Sequence, residues 1–335
     1  MDRLVKPRVI NLKRLPEEAG RLLTEFCDVL DVDLDEKSPE GRARLLELLG
    51  DADGLLQSDA RIDKELLDKA PRLKVVSNVS VGYNNFDTEA MRERGVTGTH
   101  TPYVLDDTVA DLIFALILSA ARRVPELDRL VKQGEWGREG SKAEDHFGID
   151  VHHATIGIVG MGRIGERVAK RAALGFGMNV LYHNRSRKSH AEEAYGARCV
   201  SLDELLAKSD YVVLLAPLTP ETRGLFGAEQ FDTMKSTAIF VNASRGPLVN
   251  EAALVEALRG GRIRAAALDV YESEPVAADH PLLRLPNVVT LPHIGSATAK
   301  TRFDMAVTAA NNLIGGLLGD RKIYVVPELR RDSKE

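Results

Sequence analysis

The chain has 335 residues, 44% hydrophobic and 28% charged, with a formal net charge of −5 at pH 7. This composition is typical of a globular protein of two domains, and it offers no electrostatic attraction to nucleic acid or to an anionic membrane. Cys27 and Cys199 lie far apart without ligand-like neighbours, so neither a disulfide framework nor a zinc site or other metal site is expected. The N-terminus is charged at once and lacks the apolar core of a signal peptide, which favours a cytoplasmic protein.

The first hundred residues alternate short apolar runs with amphipathic segments. This pattern predicts a parallel α/β sheet with both faces covered, with strands at 8–12, 28–32, 53–57, 73–79 and 96–100 and helices at 17–26, 40–49 and 64–69. Two polar loops, SNVSVGYNNFD (77–87) and THTPYVLDD (99–107), fall at carboxyl ends of these strands, where ligands of open α/β sheets bind. Ordinary turn chemistry explains the same residues equally well.

A run of ten uncharged residues, LIFALILSAA (112–121), follows the second loop. It is shorter than the ~20 residues of a membrane span, so we expect a buried helix or a subunit interface. Asp107 and Thr108 can cap a long helix from near Val109 to about residue 133, and Pro125 should kink or interrupt it.

The stretch TIGIVGMGRIG (155–165) combines an apolar run with Gly160, Gly162 and Gly165. Such a GxGxxG pattern predicts a strand, a tight turn and a helix N-terminus that binds a dinucleotide pyrophosphate. A second α/β series follows, which makes chance a poor explanation. We expect its strands at 179–183, 210–216, 238–243, 264–270 and 287–291, and its helices at 162–173, 203–208, 228–234 and 251–259.

The second strand of this series ends at Asn184, where an NAD-binding fold carries an acidic residue for the ribose 2′-hydroxyl. A carboxylate would repel a 2′-phosphate, whereas Asn184 does not. Arg185 and Arg187 can form charge-assisted hydrogen bonds to that phosphate, although a solvated cationic loop has the same composition. The sequence therefore predicts a preference for NADP(H), with NAD(H) as the alternative.

Charged side chains stand at the ends of three later strands: Arg245 in VNASRG, Asp269 and Glu274 in ALDVYESEP, and His293 in LPHIGSAT. Each alone is more often structural than catalytic. Because the strands belong to one predicted sheet, an Arg, a Glu and a His could face a common cleft.

Several motifs in fixed order resemble the D-2-hydroxyacid dehydrogenase family across nearly the whole chain: VSVGYNNFD, TPYVLDDTVAD, GMGRIG, APLTPET, NASRGPLVNE, LDVYESEP and NVVTLPHIGSAT. Within the family the chain looks most like bacterial glyoxylate/hydroxypyruvate reductases and 2-ketogluconate reductases. Tyr103, where many relatives have Gly, favours the ketogluconate branch.

The resemblance implies two doubly wound, Rossmann-like or flavodoxin-like parallel-sheet domains with a cleft between them. Residues 1–101 and 291–335 would form the substrate-binding domain and 102–290 the NADP-binding domain. The long helix of the latter would build a homodimer interface.

The resemblance also assigns roles for the reduction of a 2-oxo acid to a D-2-hydroxy acid. His293 would be the general acid/base, and Glu274 would pair with it and raise its pKa. Arg245 would bind the carboxylate and carbonyl of the substrate, opposite backbone amides of Val81 and Gly82.

The glycine motif, the basic loop and the family resemblance together imply a set of cofactor contacts at the strand ends of the second series. They are Gly160, Met161, Gly162, Arg163, Ile164, Gly165, Asn184, Arg185, Ser186, Arg187, Leu215, Ala216, Pro217, Thr222, Ala243, Ser244, Arg245, Asp269, His293 and Gly295. Candidates for reading the substrate tail, by position only, are Tyr83, Tyr103, Trp136 and Phe147.

Two other functions stay open. An NAD-dependent dehydrogenase of phosphoglycerate-like D-hydroxyacids is disfavoured by Asn184 and by the expected lack of a C-terminal regulatory domain. A NAD(P)-sensing regulatory protein of the same fold is disfavoured by the intact Arg245, Glu274 and His293. Asn250 replaces the acidic residue usual in this family after NxSRGxxV, and the sequence does not explain that change.

Overall fold

A computed structural model of the protein describes residues 6–138 and 142–330. The chain divides into two compact units: the terminal unit contains the described residues of Met1–Leu105 and Ala297–Glu335, and the central unit is Asp106–Ser296. The charged opening residues 1–5, and residues 139–141 of the loop predicted between Gly134 and His153, lie outside the described residues. No described helix is long and apolar enough to cross a membrane.

The terminal unit contains a five-stranded parallel sheet in the order β2-β1-β3-β4-β5. This is the flavodoxin-like order, and two of the interior strands, β3 and β4, are buried along their whole length because helices cover both faces. Its strands are β1 (Arg8–Asn11), β2 (Asp28–Asp31), β3 (Gly54–Gln57), β4 (Val75–Asn78) and β5 (Thr97–Thr99). Its helices are α1 (Glu17–Phe26), α2 (Pro39–Leu48), α3 (Lys64–Lys69), α4 (Thr88–Glu93) and α12 (Ala299–Leu318).

The predicted strands and helices of this half all form, but α4 and α12 were not predicted. Helix α12 is the longest in the described chain, and its Ala309 and Leu313 pack in one core cluster with Val75. Thr298 caps it by accepting a hydrogen bond from the Thr301 N–H, and Gly319 ends it in the left-handed conformation. These two capping residues were the available signal in the sequence.

The central unit contains a seven-stranded parallel sheet in the order β12-β11-β10-β9-β6-β7-β8. Six of these strands reproduce the dinucleotide-binding order 3-2-1-4-5-6, with β6 as the first strand. The strands are β6 (Thr155–Val159), β7 (Asn179–His183), β8 (Arg198–Cys199), β9 (Tyr211–Leu214), β10 (Ile239–Asn242), β11 (Ala265–Leu268) and β12 (Val288–Thr290). The helices are α5 (Asp106–Ala121), α6 (Val124–Lys132), α7 (Arg163–Phe176), α8 (Ser189–Tyr195), α9 (Leu202–Lys208), α10 (Ala228–Thr233) and α11 (Glu251–Arg259). The two-sheet α/β fold class predicted from the sequence is confirmed; α8 and β8 were missed.

The long helix predicted from near Val109 to 133 forms as the two helices α5 and α6, but the prediction of its start and of its capping residues is wrong. Helix α5 already begins at Asp106, so Asp107 and Thr108 lie inside its first turn rather than capping it. The interruption expected at Pro125 is confirmed: Arg123 adopts a left-handed φ of 55°, and Pro125 lies in the first turn of α6. A proline is tolerated there because N–H groups of the first turn have no partner within the helix.

Candidate active site

The glycine loop between β6 and α7 has the shape that a dinucleotide requires. Gly160 has a left-handed φ of +104°, and a Cβ atom there would lie 2.6 Å from the backbone nitrogen of Ala216. A Cβ on Gly165 would lie 2.6 Å from the carbonyl oxygen of Gly160. At Gly162 no described protein atom beyond its chain neighbours lies within 4 Å of the Cβ position, so a pyrophosphate can approach the backbone and the N-terminus of α7.

Arg163, in the same loop, forms an ion pair with a buried carboxylate. Its Nε lies 3.1 Å from Oδ2 of Asp106, which is 3% exposed. Burial raises the pKa of Asp106, and the positive charge and hydrogen bond of Arg163 oppose that shift only in part. Asp106 therefore anchors Arg163 beside the loop that also holds Met161 and Ile164.

The two arginines of the basic loop after β7, Arg185 and Arg187, have different surroundings. Asn184 donates to the carbonyl of Ser186 at 3.0 Å, which closes the turn. Arg187 is engaged with Glu192 through both Nε (3.0 Å) and a terminal nitrogen (2.5 Å). Hydrogen bonding from Thr219 and, to a smaller extent, the charge of Arg185 lower the pKa of Glu221. Of the two arginines in this loop, Arg187 is therefore the one that a carboxylate binds through two of its nitrogens.

Further predicted cofactor residues follow β9 and β10, and hydrogen bonds join the segments that carry them. The Ser244 hydroxyl donates to the carbonyl of Ala216 at 2.6 Å, and the Thr222 hydroxyl donates to that of Pro217 at 2.6 Å. The segment Leu215 to Pro217 thereby lies beside Ala243 and Ser244.

His293 and Glu274 form a direct pair in the central unit. The distance from His293 Nδ1 to Glu274 Oε2 is 2.7 Å, and Glu274 Oε1 accepts the N–H of Tyr271 at 3.0 Å. Burial tends to raise the pKa of Glu274, but these hydrogen bonds and the charges of His293 and Arg245 outweigh it and hold the pKa below its usual value. Since Nδ1 faces the carboxylate, Nε2 is the nitrogen that can exchange a proton with a substrate.

Asp269 shapes the turn that presents His293. Its carboxylate accepts the N–H groups of Ile294 (2.7 Å) and Gly295 (2.8 Å), and its carbonyl accepts the N–H of His293 at 2.9 Å. His293 itself has a left-handed φ of 53°. Burial raises the pKa of Asp269, which is 1% exposed, and the hydrogen bonds and the nearby His293 charge oppose the shift.

Arg245 and the Glu274 loop are packed together through Gly246. A Cβ atom on Gly246 would lie 1.8 Å from the backbone carbon of Tyr271, so only glycine permits this approach. Arg245 also donates to the carbonyl of Ser244 at 2.7 Å. The structure therefore brings the predicted Arg, Glu and His together at one edge of the central sheet.

Glu251, which was not singled out from the sequence, stabilises the loop that carries Glu274. Glu251 is buried; its Oε1 accepts the N–H of Glu272 at 2.8 Å, and its Oε2 lies 3.2 Å from Nε2 of His280. It thereby holds the loop that carries Glu274. The unexplained Asn250 caps α11 by accepting the N–H of Ala253 at 3.0 Å, a role for which Asn and Asp are equally suited.

In the terminal unit, three consecutive backbone carbonyls of the loop after β4 are bound by other residues of the same unit. The carbonyl of Ser80 accepts the N–H of Thr101 (2.9 Å), and that of Val81 lies 2.9 Å from Nδ1 of His100. The carbonyl of Gly82 accepts hydrogen bonds from the Ser80 hydroxyl (2.5 Å) and the Asn78 amide (3.1 Å), completing the set. His100 and Asn78 were not singled out from the sequence, although each lies directly at the end of a strand.

The four candidates for the substrate tail differ in their surroundings. Tyr83 packs edge-on against His100, with ring centroids 5.4 Å apart, and Tyr103 lies 5.6 Å from Tyr324. Tyr103 is 62% exposed and adopts a left-handed φ of 74°, a conformation that glycine adopts without strain. Trp136 and Phe147, in the central unit, are exposed.

Comparisons with known proteins agree with these motifs. Residues 114–295 match the NAD binding domain of the D-isomer specific 2-hydroxyacid dehydrogenases. The chain is 51% identical over 327 residues to glyoxylate/hydroxypyruvate reductase B of Klebsiella pneumoniae subsp. pneumoniae, which covers 97% of this chain and 100% of the relative.

Two solved structures match the chain over nearly its whole length. A protein from Thermus thermophilus matches with a TM-score of 0.85 and 44% identity, covering 95% of this chain and 99% of that one. An NADPH-dependent glyoxylate/hydroxypyruvate reductase from Sinorhizobium meliloti, solved with NADP and malonate, matches with a TM-score of 0.83 and 29% identity, covering 97% and 99%. The resemblance inferred from the motifs is confirmed: the chain belongs to the D-isomer specific 2-hydroxyacid dehydrogenase family, whose nicotinamide-binding domain it contains.

Proposed function

We propose that the protein reduces glyoxylate and hydroxypyruvate to their 2-hydroxy acids with NADPH, and that 2-ketogluconate is a further substrate. The observation that carries this proposal is the 2.7 Å pair of His293 and Glu274, set at the same sheet edge as Arg245. These three groups supply a proton donor, its counter-charge and a binder for a carboxylate. Names of close relatives, such as the Klebsiella pneumoniae reductase, support the choice of substrates.

In this proposal His293 is the general acid. A bound nicotinamide supplies the hydride to the carbonyl carbon. His293 Nε2 donates the proton that the carbonyl oxygen takes up, so that the C=O bond becomes CH–OH. Glu274, which remains ionised because its pKa is lowered, stabilises the imidazolium before transfer.

Arg245 would bind the substrate carboxylate and carbonyl oxygen through its planar donor fork, a geometry that a lysine cannot reproduce. We further propose that the terminal unit is the substrate-binding domain and the central unit the cofactor-binding domain. Within the terminal unit, the N–H groups of Val81 and Gly82 donate no hydrogen bond to the described residues, which suits them to bind a carboxylate.

The preference for NADPH would depend mainly on Arg185. Arg187 is already paired with Glu192, so it contributes less to a 2′-phosphate than the sequence suggests. We expect Arg185→Ala to raise the KM for NADPH about tenfold, the loss of one charge-assisted hydrogen bond, and to leave the KM for NADH unchanged. Arg187→Ala is the matched control and should change either KM less. Equal losses with both cofactors would contradict the role of Arg185.

The experiment that tests the function measures kcat/KM for glyoxylate, hydroxypyruvate and 2-ketogluconate with NADPH and with NADH. Turnover of at least one of these with NADPH favoured is the expected result. Absence of turnover on every 2-oxo acid would favour a NAD(P)-sensing protein. A preference for NADH together with oxidation of a D-hydroxyacid such as phosphoglycerate would favour the other dehydrogenase.

A homodimer is part of the proposal. Exposed apolar side chains lie on and next to α5 and α6, a composition typical of a subunit interface: Leu118, Val124, Val131, Trp136 and Phe147. Sedimentation equilibrium should give twice the 36.7 kDa chain mass. A monomer at micromolar concentration would contradict this part.

A further inference from the structure

His100 is a buried histidine to which the proposed mechanism assigns no role. It is 5% exposed, and its backbone is fixed on both sides. Its N–H donates to the carbonyl of Tyr324 at 3.1 Å, and its carbonyl accepts the side-chain amide of Asn312 at 2.8 Å. Its ring is further held edge-on against Tyr83. The position of the imidazole is therefore set by the fold around it.

The imidazole acts on one peptide of the loop after β4. Nδ1 lies 2.9 Å from the carbonyl oxygen of Val81, and because a carbonyl only accepts, Nδ1 must carry the proton. The peptide unit is planar and trans, so its C=O and N–H point in opposite directions. Anchoring the carbonyl of Val81 at His100 therefore turns the N–H of Gly82 away from His100.

The preceding peptide is fixed in the same way. The carbonyl of Ser80 accepts the N–H of Thr101, so the N–H of Val81 points away from Thr101. The same short segment, His100 and Thr101, thus orients two successive N–H groups. Neither N–H donates to another described residue. Two adjacent backbone donors with fixed directions can together bind an anion.

We propose that His100 is a positioning residue that orients the N–H of Gly82 toward the carboxylate of the 2-oxo acid. The inference rests on the proposed function, because it assumes that Val81 and Gly82 bind that carboxylate. His100 does not touch the substrate or exchange a proton with it. Its contribution is to fix a donor before the substrate binds, so that ordering the loop costs less free energy at that step.

Two substitutions that match each other in shape test this role. His100→Asn retains a donor nitrogen bonded to Cγ, the position that Nδ1 occupies, whereas His100→Leu has the shape of Asn without a donor. We expect His100→Leu to raise the KM for glyoxylate about tenfold and to weaken oxalate binding by a similar factor. The kcat should fall less than about threefold, and the Kd for NADPH should not change. His100→Asn should restore most of the loss.

Measurements of oxalate affinity distinguish a failure of the proposed function from a failure of the role assigned to His100. If the wild type reduces no 2-oxo acid, the proposed function fails, while oxalate affinity in wild type and variants still tests His100. The inference is overturned if oxalate does not bind the wild type or if His100→Leu binds it as tightly as wild type does. Equal losses in the Asn and Leu variants would also overturn it. Should His100→Leu not fold, His100→Phe, which keeps a ring against Tyr83 but has no donor, replaces it in the comparison.

Discussion

The carboxyl edges of the two sheets are built from the same β–α units but present different chemistry. In the central unit, carboxylates accept backbone N–H groups: Asp269 fixes the turn of His293, and Glu251 fixes the loop of Glu274. In the terminal unit, imidazole and amide donors bind backbone carbonyls: His100 holds Val81, and Asn78 holds Gly82. In the central unit the bound N–H groups fix a turn, and the side chains on that turn are the groups available to a ligand. In the terminal unit the carbonyls are bound, so the backbone N–H groups are the ones available to a ligand.

The largest effect is expected from His293, at the carboxyl edge of the central sheet. His293→Gln removes the proposed proton donor, so we expect kcat to fall roughly 10²- to 10⁴-fold, the usual contribution of general acid–base catalysis. The Kd for NADPH, measured by fluorescence titration, should stay nearly unchanged. Loss of cofactor affinity of the same size would identify His293 as a structural residue and break the contrast between the two edges.

Arg245→Lys should have the next largest effect. Lysine keeps the positive charge but loses the fork that binds two oxygens at once. We expect kcat/KM for glyoxylate to fall about 10²-fold, equivalent to the loss of one or two hydrogen bonds to a charged group. Arg185→Lys, in the other basic loop of the same unit, is the control and should leave the KM for glyoxylate unchanged. A lysine variant with wild-type kcat/KM would mean that charge alone suffices.

Glu274→Gln should lower kcat about 10- to 100-fold, because a charge-assisted hydrogen bond to His293 is replaced by a neutral one. The amide oxygen of the Gln variant can still accept the N–H of Tyr271, so the loop itself should keep its conformation. A Gln variant with the kcat of wild type would show that Glu274 only holds the loop.

The stability of the same pair has a defined dependence on pH. Because the pKa of Glu274 is lowered in the folded state, the ionised carboxylate stabilises the fold above its ordinary pKa of 4.5. This contribution is lost as the pH falls through the lowered pKa. Chemical denaturation should therefore show Glu274→Gln less stable than wild type near pH 6 and a smaller difference at the acid end. A difference that is constant with pH would contradict the pairing.

This contrast also explains what could be predicted from the sequence. The side chains to which we assign the reaction, Arg245 and His293, follow strands with recognisable flanks, so their positions and their common sheet edge were predicted. Supports such as Glu251 and His100 were not, because their partners are backbone atoms 19 to 21 residues away. Helix α12 was missed although its capping residues were visible, and the ion pair of Arg187 with Glu192 was not predicted. Periodicity shows which face is buried, but it carries no information about which side chain a given carbonyl will meet.

The smallest effect concerns the backbone of the terminal edge, where Tyr103 holds a left-handed φ of 74°. A side chain in this region costs roughly 1–2 kcal/mol, a penalty that glycine avoids. Tyr103→Gly relieves that strain but loses the ring contact with Tyr324, so its free energy of unfolding should differ from wild type by less than about 1 kcal/mol. Tyr103→Ala keeps the strained Cβ and loses the same contact, and it should be the less stable of the two variants in urea denaturation. If Tyr103→Ala proves more stable than Tyr103→Gly, backbone strain does not account for the glycine that the family resemblance leads us to expect at this position.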